Sequence, residues 1–228
     1  MLFRSRVNDG VAKWLCRFDL NGYRAEHLQH HRYVQQALDP DLGLSAKFPV
    51  TRDSLRRKFI RDLSGQTFYK QRFGPLIEGL RAQPAGAPIT PQLQAELRRQ
   101  PMFYLGNAGG AVLFAAFGLG WAWALMWLLP MATWLLLVAR IRNIAEHALL
   151  AQDEPDPLHH ARTTRTNLLE RILIAPYWVN YHSEHHLFTQ IPCWRLPRAH
   201  RMLRAKGVTP RLEIQPGYAA MLRLAAAA

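Results

Sequence analysis

Six of the ten histidines in the 228 residues fall into two copies of one spacing. His27, His30 and His31 form HLQHH, and His182, His185 and His186 form HSEHH. On a helix, positions i, i+3 and i+4 share a face, so each cluster is expected to aim three imidazoles at one point. Neutral imidazole is a ligand for iron, copper and zinc. Six histidines exceed what one four-coordinate zinc site uses, so two metals, or one site shared between helices, is the natural reading. Further along, Arg142 to His147 reads RNIAEH, with Asn143 and His147 one turn apart. A single histidine of that kind is more often an interfacial residue with its bonds satisfied. Together with two HxxHH clusters it points to ligation.

Glu26, Glu146 and Glu184 each directly precede a histidine of these sets. Carboxylates commonly orient metal-bound imidazoles, but helical neighbours diverge by about 100°. Such pairings are therefore expected between helices, with solvated glutamates as the competing reading. His159, His160 and His200 belong to no cluster, and the first two follow DEPDP in what reads as a loop.

The elements that must carry these residues divide by charge. Lys and Arg number 29 against 16 Asp and Glu, a net charge of +13, and only five of the bases are Lys. That balance calls for an anionic partner, either nucleic acid or lipid headgroups. Residues 104–139 decide between them: 36 residues without Asp, Glu, Lys or Arg, flanked by bases on both sides. A soluble nucleic-acid binder would have to bury a helix that is apolar all round, so a membrane is expected and nucleic acid is not. As one helix the stretch would run roughly 54 Å, well past a hydrocarbon core of about 30 Å. Two short or tilted crossings are expected, turning near Gly118, Leu119 and Gly120 and ending at about Arg140. Pro130 is tolerable in a membrane helix. Arg98 and Arg99 before the hairpin, with Arg140 and Arg142 after it, place its open end on the cytoplasmic side.

Residues 1–103 read as polar and helix-rich, broken at 38–49 by Pro40, Gly43 and Pro49 and again by QPAGAPITP at 83–91. Cys16 and Cys193 form no CxxC pair and give no disulfide framework. The opening residues lack the apolar core of a secretory signal. The expected architecture is one all-α domain over 1–228. Its parts are a cytosolic or interfacial segment (1–103), a transmembrane hairpin (104–139) and a cytosolic cap (140–228). The cap would gather 20–35, 140–150 and 178–190 around a histidine-rich di-metal site.

At these residues the chain resembles the membrane fatty acid desaturase family. HLQHH and HSEHH look like that family's second and third histidine boxes, and Asn143 with His147 resembles the ligand pair placed after its second membrane hairpin. The order box, hairpin, Asn/His pair, box also matches, as does the flanking text HHRYVQQALDPDL and NYHSEHHLFTQIPCWRLPRAH. The resemblance implies that His27, His30, His31, Asn143, His147, His182, His185 and His186 hold or approach two iron ions. It also implies O2 as co-substrate, a fatty acyl chain as the molecule desaturated, and electrons from a ferredoxin or cytochrome-type donor. Asp39-Pro40-Asp41 and Arg162-Thr163-Thr164 also resemble family text and are read as turn and packing elements. The Arg-for-Lys preference hints at a GC-rich bacterial genome and an inner-membrane location.

The family has a first box, HxxxH or HxxxxH, and no histidine here precedes His27. The opening residues look like the text that follows that box, so an in-frame box closely upstream of Met1 is expected. A separate polypeptide supplying it, or an inactive truncated product, are the other accounts. Within the superfamily the rival activity is a hydroxylase or ketolase acting on a carotenoid, sterol or alkane. A zinc hydrolase is disfavoured because no HExxH occurs.

Overall fold

This computed structural model describes residues 2–16 and 18–227. The chain is mostly helical: α1 (Leu2–Val11), a π turn (Ala12–Cys16), α2 (Leu20–Arg32), α3 (Leu42–Ser45), α4 (Arg52–Leu63), α5 (Gln66–Arg81), α6 (Thr90–Arg99) and α7 (Pro101–Ala116) come first. Next is α8 (Gly120–Trp123), a second π turn (Ala124–Leu128), α9 (Leu129–Ala132) and α10 (Trp134–His147), which together run as one helix from Gly120 to His147. The remainder holds β1 (Arg162–Thr164), α11 (Leu168–Leu173), α12 (His182–Leu187), α13 (Leu196–Ala205), β2 (Glu213–Gln215) and α14 (Tyr218–Ala225). Two compact units emerge, Met1–Ala25 with Phe59–Leu136 and Glu26–Lys58 with Leu137–Ala228.

In the first unit the apolar stretch doubles back at Phe117–Leu119. Gly118 takes φ +72, a left-handed conformation that glycine enters without steric penalty. Antiparallel packing follows from the contacts: Phe114 lies against Trp123 with ring centroids 5.4 Å apart. Asn107 accepts from Trp127 Nε1 at 3.3 Å and donates to the carbonyl of Leu15 at 3.2 Å. Gly106 and Gly110 permit this closeness, since a Cβ would overlap the backbone of Trp14 at the first and the ring of Trp123 at the second. Pro130 lacks an N–H for the helix ladder. The wider π turn just before it, closed by Leu129 N–H to the carbonyl of Ala124, takes up the mismatch. The outward faces are apolar and bare, with Val112 69%, Phe117 75% and Met126 72% exposed. The helix from Gly120 is long and apolar enough to cross a membrane, and it continues to His147 rather than ending near Arg140.

The second unit has its own core, in which Val34, Ile144, Ala145, Ala148, Ala161, Tyr218 and Met221 are almost wholly buried. An all-α reading omits one detail: β1 and β2 pair in parallel, with Arg162 opposite Glu213 and Thr164 opposite Gln215. Three-residue strands leave no periodic signature, and they brace the loop that follows α10. Arg162 is buried and its Nη1 donates to the carbonyls of Ala145 and Ala148 at 3.1 and 3.0 Å. A cation thus satisfies the free carbonyls at the end of α10. α11 starts with a capping box in which Asn167 and Glu170 each bond the other's backbone N–H.

Candidate metal centre

All seven histidines named from the clusters and from RNIAEH lie in the second unit and come together. His27, His30 and His31 occupy the last turns of α2, His147 is the final residue of α10, and His182, His185 and His186 lie on α12. The carbonyl ends of α2 and α10 therefore both finish at the cluster, where their partial negative charge favours a cation.

The imidazoles sort into two groups, His27 with His31 and His185, and His30 with His147, His182 and His186. In the first, the three Nε2 atoms form a near-equilateral triangle: His27–His185 3.1 Å, His27–His31 3.1 Å, His31–His185 3.0 Å. In the second, Nε2 atoms run His30–His147 3.2 Å, His147–His182 2.9 Å and His182–His186 3.1 Å. The two groups adjoin, with the rings of His31 and His186 4.0 Å apart. This corrects the expectation that each HxxHH aims three imidazoles at one point. Positions i and i+4 diverge by only about 40° while i+3 and i+4 diverge by about 100°. Each box accordingly gives its outer pair to one group and its middle histidine to the other.

A hydrogen-bond triangle cannot account for the first group, because each neutral imidazole donates at most one proton along one direction. A shared cation can: three bonds of about 2.1 Å meeting near right angles have edges of about 3.0 Å. His30 points the same way. Its Nδ1 donates to Asp39 Oδ1 at 2.8 Å, so in the neutral ring Nε2 keeps its lone pair, directed at the other histidines. Burial, followed by repulsion from the neighbouring imidazoles, lowers His31 to about 3. Burial likewise lowers His185 to about 4 and holds His27, His182 and His186 below the ordinary histidine range. Near neutral pH these rings are uncharged, the form that binds a metal. The donor set thus fits two cations, with His27, His31 and His185 on one and His30, His147, His182 and His186 on the other.

Residues passed over in the sequence complete the site. Asp39 is buried and accepts from His30 Nδ1 and from the backbone N–H of Gln35 and Asp41, each at 2.8 Å. Burial pushes its carboxyl up, but these bonds outweigh burial and keep it below its usual range. Gln35 adopts φ +57, a conformation costly for a non-glycine residue, and this wraps the chain so that Asp39 meets His30. The Gln35 side chain donates to Ser45 Oγ at 2.8 Å and to the carbonyl of His147 at 3.2 Å. Asp39 and Arg162, read from sequence as turn and packing residues, therefore hold ligand-bearing elements.

The glutamates beside the boxes divide. Glu26 is exposed. Glu146 accepts from Arg142 Nε at 3.0 Å on its own helix and lies 3.8 Å from His182 Nε2. Glu184 turns away from the metal-facing side of α12. Asn143 lies one turn before His147 and is half-buried; it takes no part in the nitrogen–nitrogen contacts above. His160 bonds the carbonyl of Glu154 at 2.8 Å and His159 lies 3.4 Å from Glu213, so neither joins the cluster.

Seven imidazoles gathered at helix ends and backed by a carboxylate make a donor set suited to a metal. The chain belongs to the fatty acid desaturase family, a family of oxidoreductases, whose profile matches residues 1–216. It is also 30% identical over 118 residues to dihydrorhizobitoxine desaturase of Bradyrhizobium elkanii, a match covering 52% of this chain and 30% of that protein. No solved structure matches the chain.

Proposed function

We propose that this chain carries the di-iron centre of an O2-dependent desaturase that introduces a double bond into a fatty acyl chain. The convergence of seven Nε2 atoms in two adjoining groups carries the reading, and family membership directs it to iron. Bound iron would supply the redox chemistry: O2, two electrons and two protons take two hydrogens from a CH2–CH2 unit and leave CH=CH and two waters. The electrons would come from a ferredoxin or a cytochrome-type protein. The chain's own residues keep His27, His31, His147, His182, His185 and His186 uncharged by burial. They also hydrogen-bond His30 Nδ1 to Asp39 so that Nε2 faces the cluster, and tie α2 to α10 through Gln35.

The whole of 1–228 is read as one desaturase domain. Residues 104–139 would cross the membrane as a hairpin, a reading supported by their bare apolar faces. The histidines would lie on the cytoplasmic side, by the arginines flanking that stretch. A bacterial inner membrane suits the composition, and an acyl lipid or acyl-CoA suits the membrane setting. The relative's printed name, a desaturase, favours desaturation over oxygen insertion. The test is anaerobic Fe(II) reconstitution of the purified chain, followed by O2, a reduced ferredoxin and an acyl lipid. Two irons per chain and a product lighter by two hydrogens are expected. A product heavier by one oxygen would make the protein a hydroxylase, and near-zero iron would sink the metal reading.

A further inference from the structure

α12 is six residues long, under two turns, and a helix so short has little rigidity of its own. It nevertheless supplies His185 to one group and His182 with His186 to the other. What fixes its rotation lies on its back. Ser183 donates from Oγ to the carbonyl of Ala161 at 2.9 Å. The Glu184 carboxylate is wholly buried and accepts two short bonds, from Thr163 Oγ1 to Oε2 at 2.6 Å and from His200 Nδ1 to Oε1 at 2.6 Å. Thr163 is the centre of β1, and His200 belongs to α13, packed beside Tyr181. A buried carboxylate is tolerated only when well bonded, so these two donors fix where Glu184 sits.

We propose that His200 is a positioning residue for the metal centre, acting through Glu184 to set the rotation of α12 and so the aim of His182, His185 and His186 at both groups. The lever arm makes a small error matter: turning a helix by about 10° moves an atom at a radius of 5–6 Å by about 1 Å. Metal–ligand distances tolerate only about 0.2 Å. The inference rests on the metal-centre reading above, and its mark is that both groups respond together to one residue touching neither.

The probe is Co2+ alone, titrated into metal-free full-length protein in detergent, read by visible absorption and by competition with a chelator. His200→Leu is expected to weaken both Co2+ equivalents roughly tenfold, at the low end for partners that orient ligands. His200→Asn, whose amide N–H stands where Nδ1–H does, is expected to recover most of that loss. Thr163→Val removes the other bond to Glu184 while leaving α13 intact, and is expected to weaken both equivalents in the same direction. Wild-type filling by His200→Leu, an effect on one equivalent only, or His200→Asn no better than His200→Leu would each overturn the inference. If His200→Leu does not fold, wild-type filling by Thr163→Val overturns it. A wild-type chain that takes up no Co2+ would refute the metal-centre reading itself, and this inference with it.

Discussion

Asp39 offers the sharpest perturbation, because three donors converge on its carboxylate. Oδ1 receives His30 Nδ1 and the Asp41 N–H, and Oδ2 receives the Gln35 N–H, all at 2.8 Å. Asp39→Asn keeps the shape and replaces one acceptor by a donor. With its NH2 at Oδ2 the amide faces the Gln35 N–H, and with its NH2 at Oδ1 it faces both other donors. An unsatisfied buried donor costs about 1–3 kcal/mol, which for a chain of this size lowers Tm by about 2–12 °C. The alternative relaxation moves the His30 proton to Nε2, which removes that nitrogen as a ligand. In either case the group of His30, His147, His182 and His186 loses affinity, by roughly 10- to 100-fold on the scale of partners that orient ligands. The triangle of His27, His31 and His185 keeps its ligands. Differential scanning of the metal-free protein and a Co2+ titration measure the two effects separately. Wild-type Tm together with two unchanged Co2+ equivalents in Asp39→Asn would refute the assignment of Asp39 as the group that fixes His30.

Single-ligand variants should bear unequally on the two groups: His185→Ala is expected to weaken chiefly one metal equivalent and His182→Ala chiefly the other, by metal analysis after reconstitution. In the metal-free protein the depressed histidines work against acid. Their folded values lie below the ordinary 6.5, so between the two the unfolded chain binds more protons. Stability is full above about 6.5 and declines as pH falls toward the values of about 4 for His185 and about 3 for His31. Thermal unfolding against pH reads this, and a flat profile from pH 7 to 4 would contradict it. Arg162→Met should cost roughly 1–3 kcal/mol by stranding the carbonyls of Ala145 and Ala148, visible as a lower Tm. Gly106→Ala forces a Cβ into the Trp14 backbone and should destabilise by about 1–3 kcal/mol, the range for overpacking, as measured by chemical denaturation in detergent.

The ligand-type residues were legible because their information is local. HLQHH and HSEHH carry spacing within a single turn, and the doubling back near Gly118 is marked by a residue that enters left-handed backbone freely. The 2+1 division of each box was not read, although the 100° step between adjacent helical residues contains it. Asp39 and His200 were invisible for another reason. A carboxylate directly before a loop proline looks the same whether solvated or folded under an imidazole nine residues back. His200 meets Glu184 only because α13 packs beside α12. Thr163 depends similarly on β1 pairing with β2, whose partners lie 51 residues apart (213 minus 162).

The crossing of ligands between groups has a consequence for how the protein fills. Both groups draw on α2 and α12, and the second on α10 as well, so neither is assembled by one segment alone. A first cation bound here would pin His27 and His31 against His185, or His30 and His147 against His182 and His186. In doing so it spends the ordering entropy of the very helices that the second cation needs, and the second meets a preformed pocket. Occupancy is thereby linked: empty and doubly filled chains should dominate at the expense of singly filled ones, and removal of either ion should loosen its neighbour by the same factor.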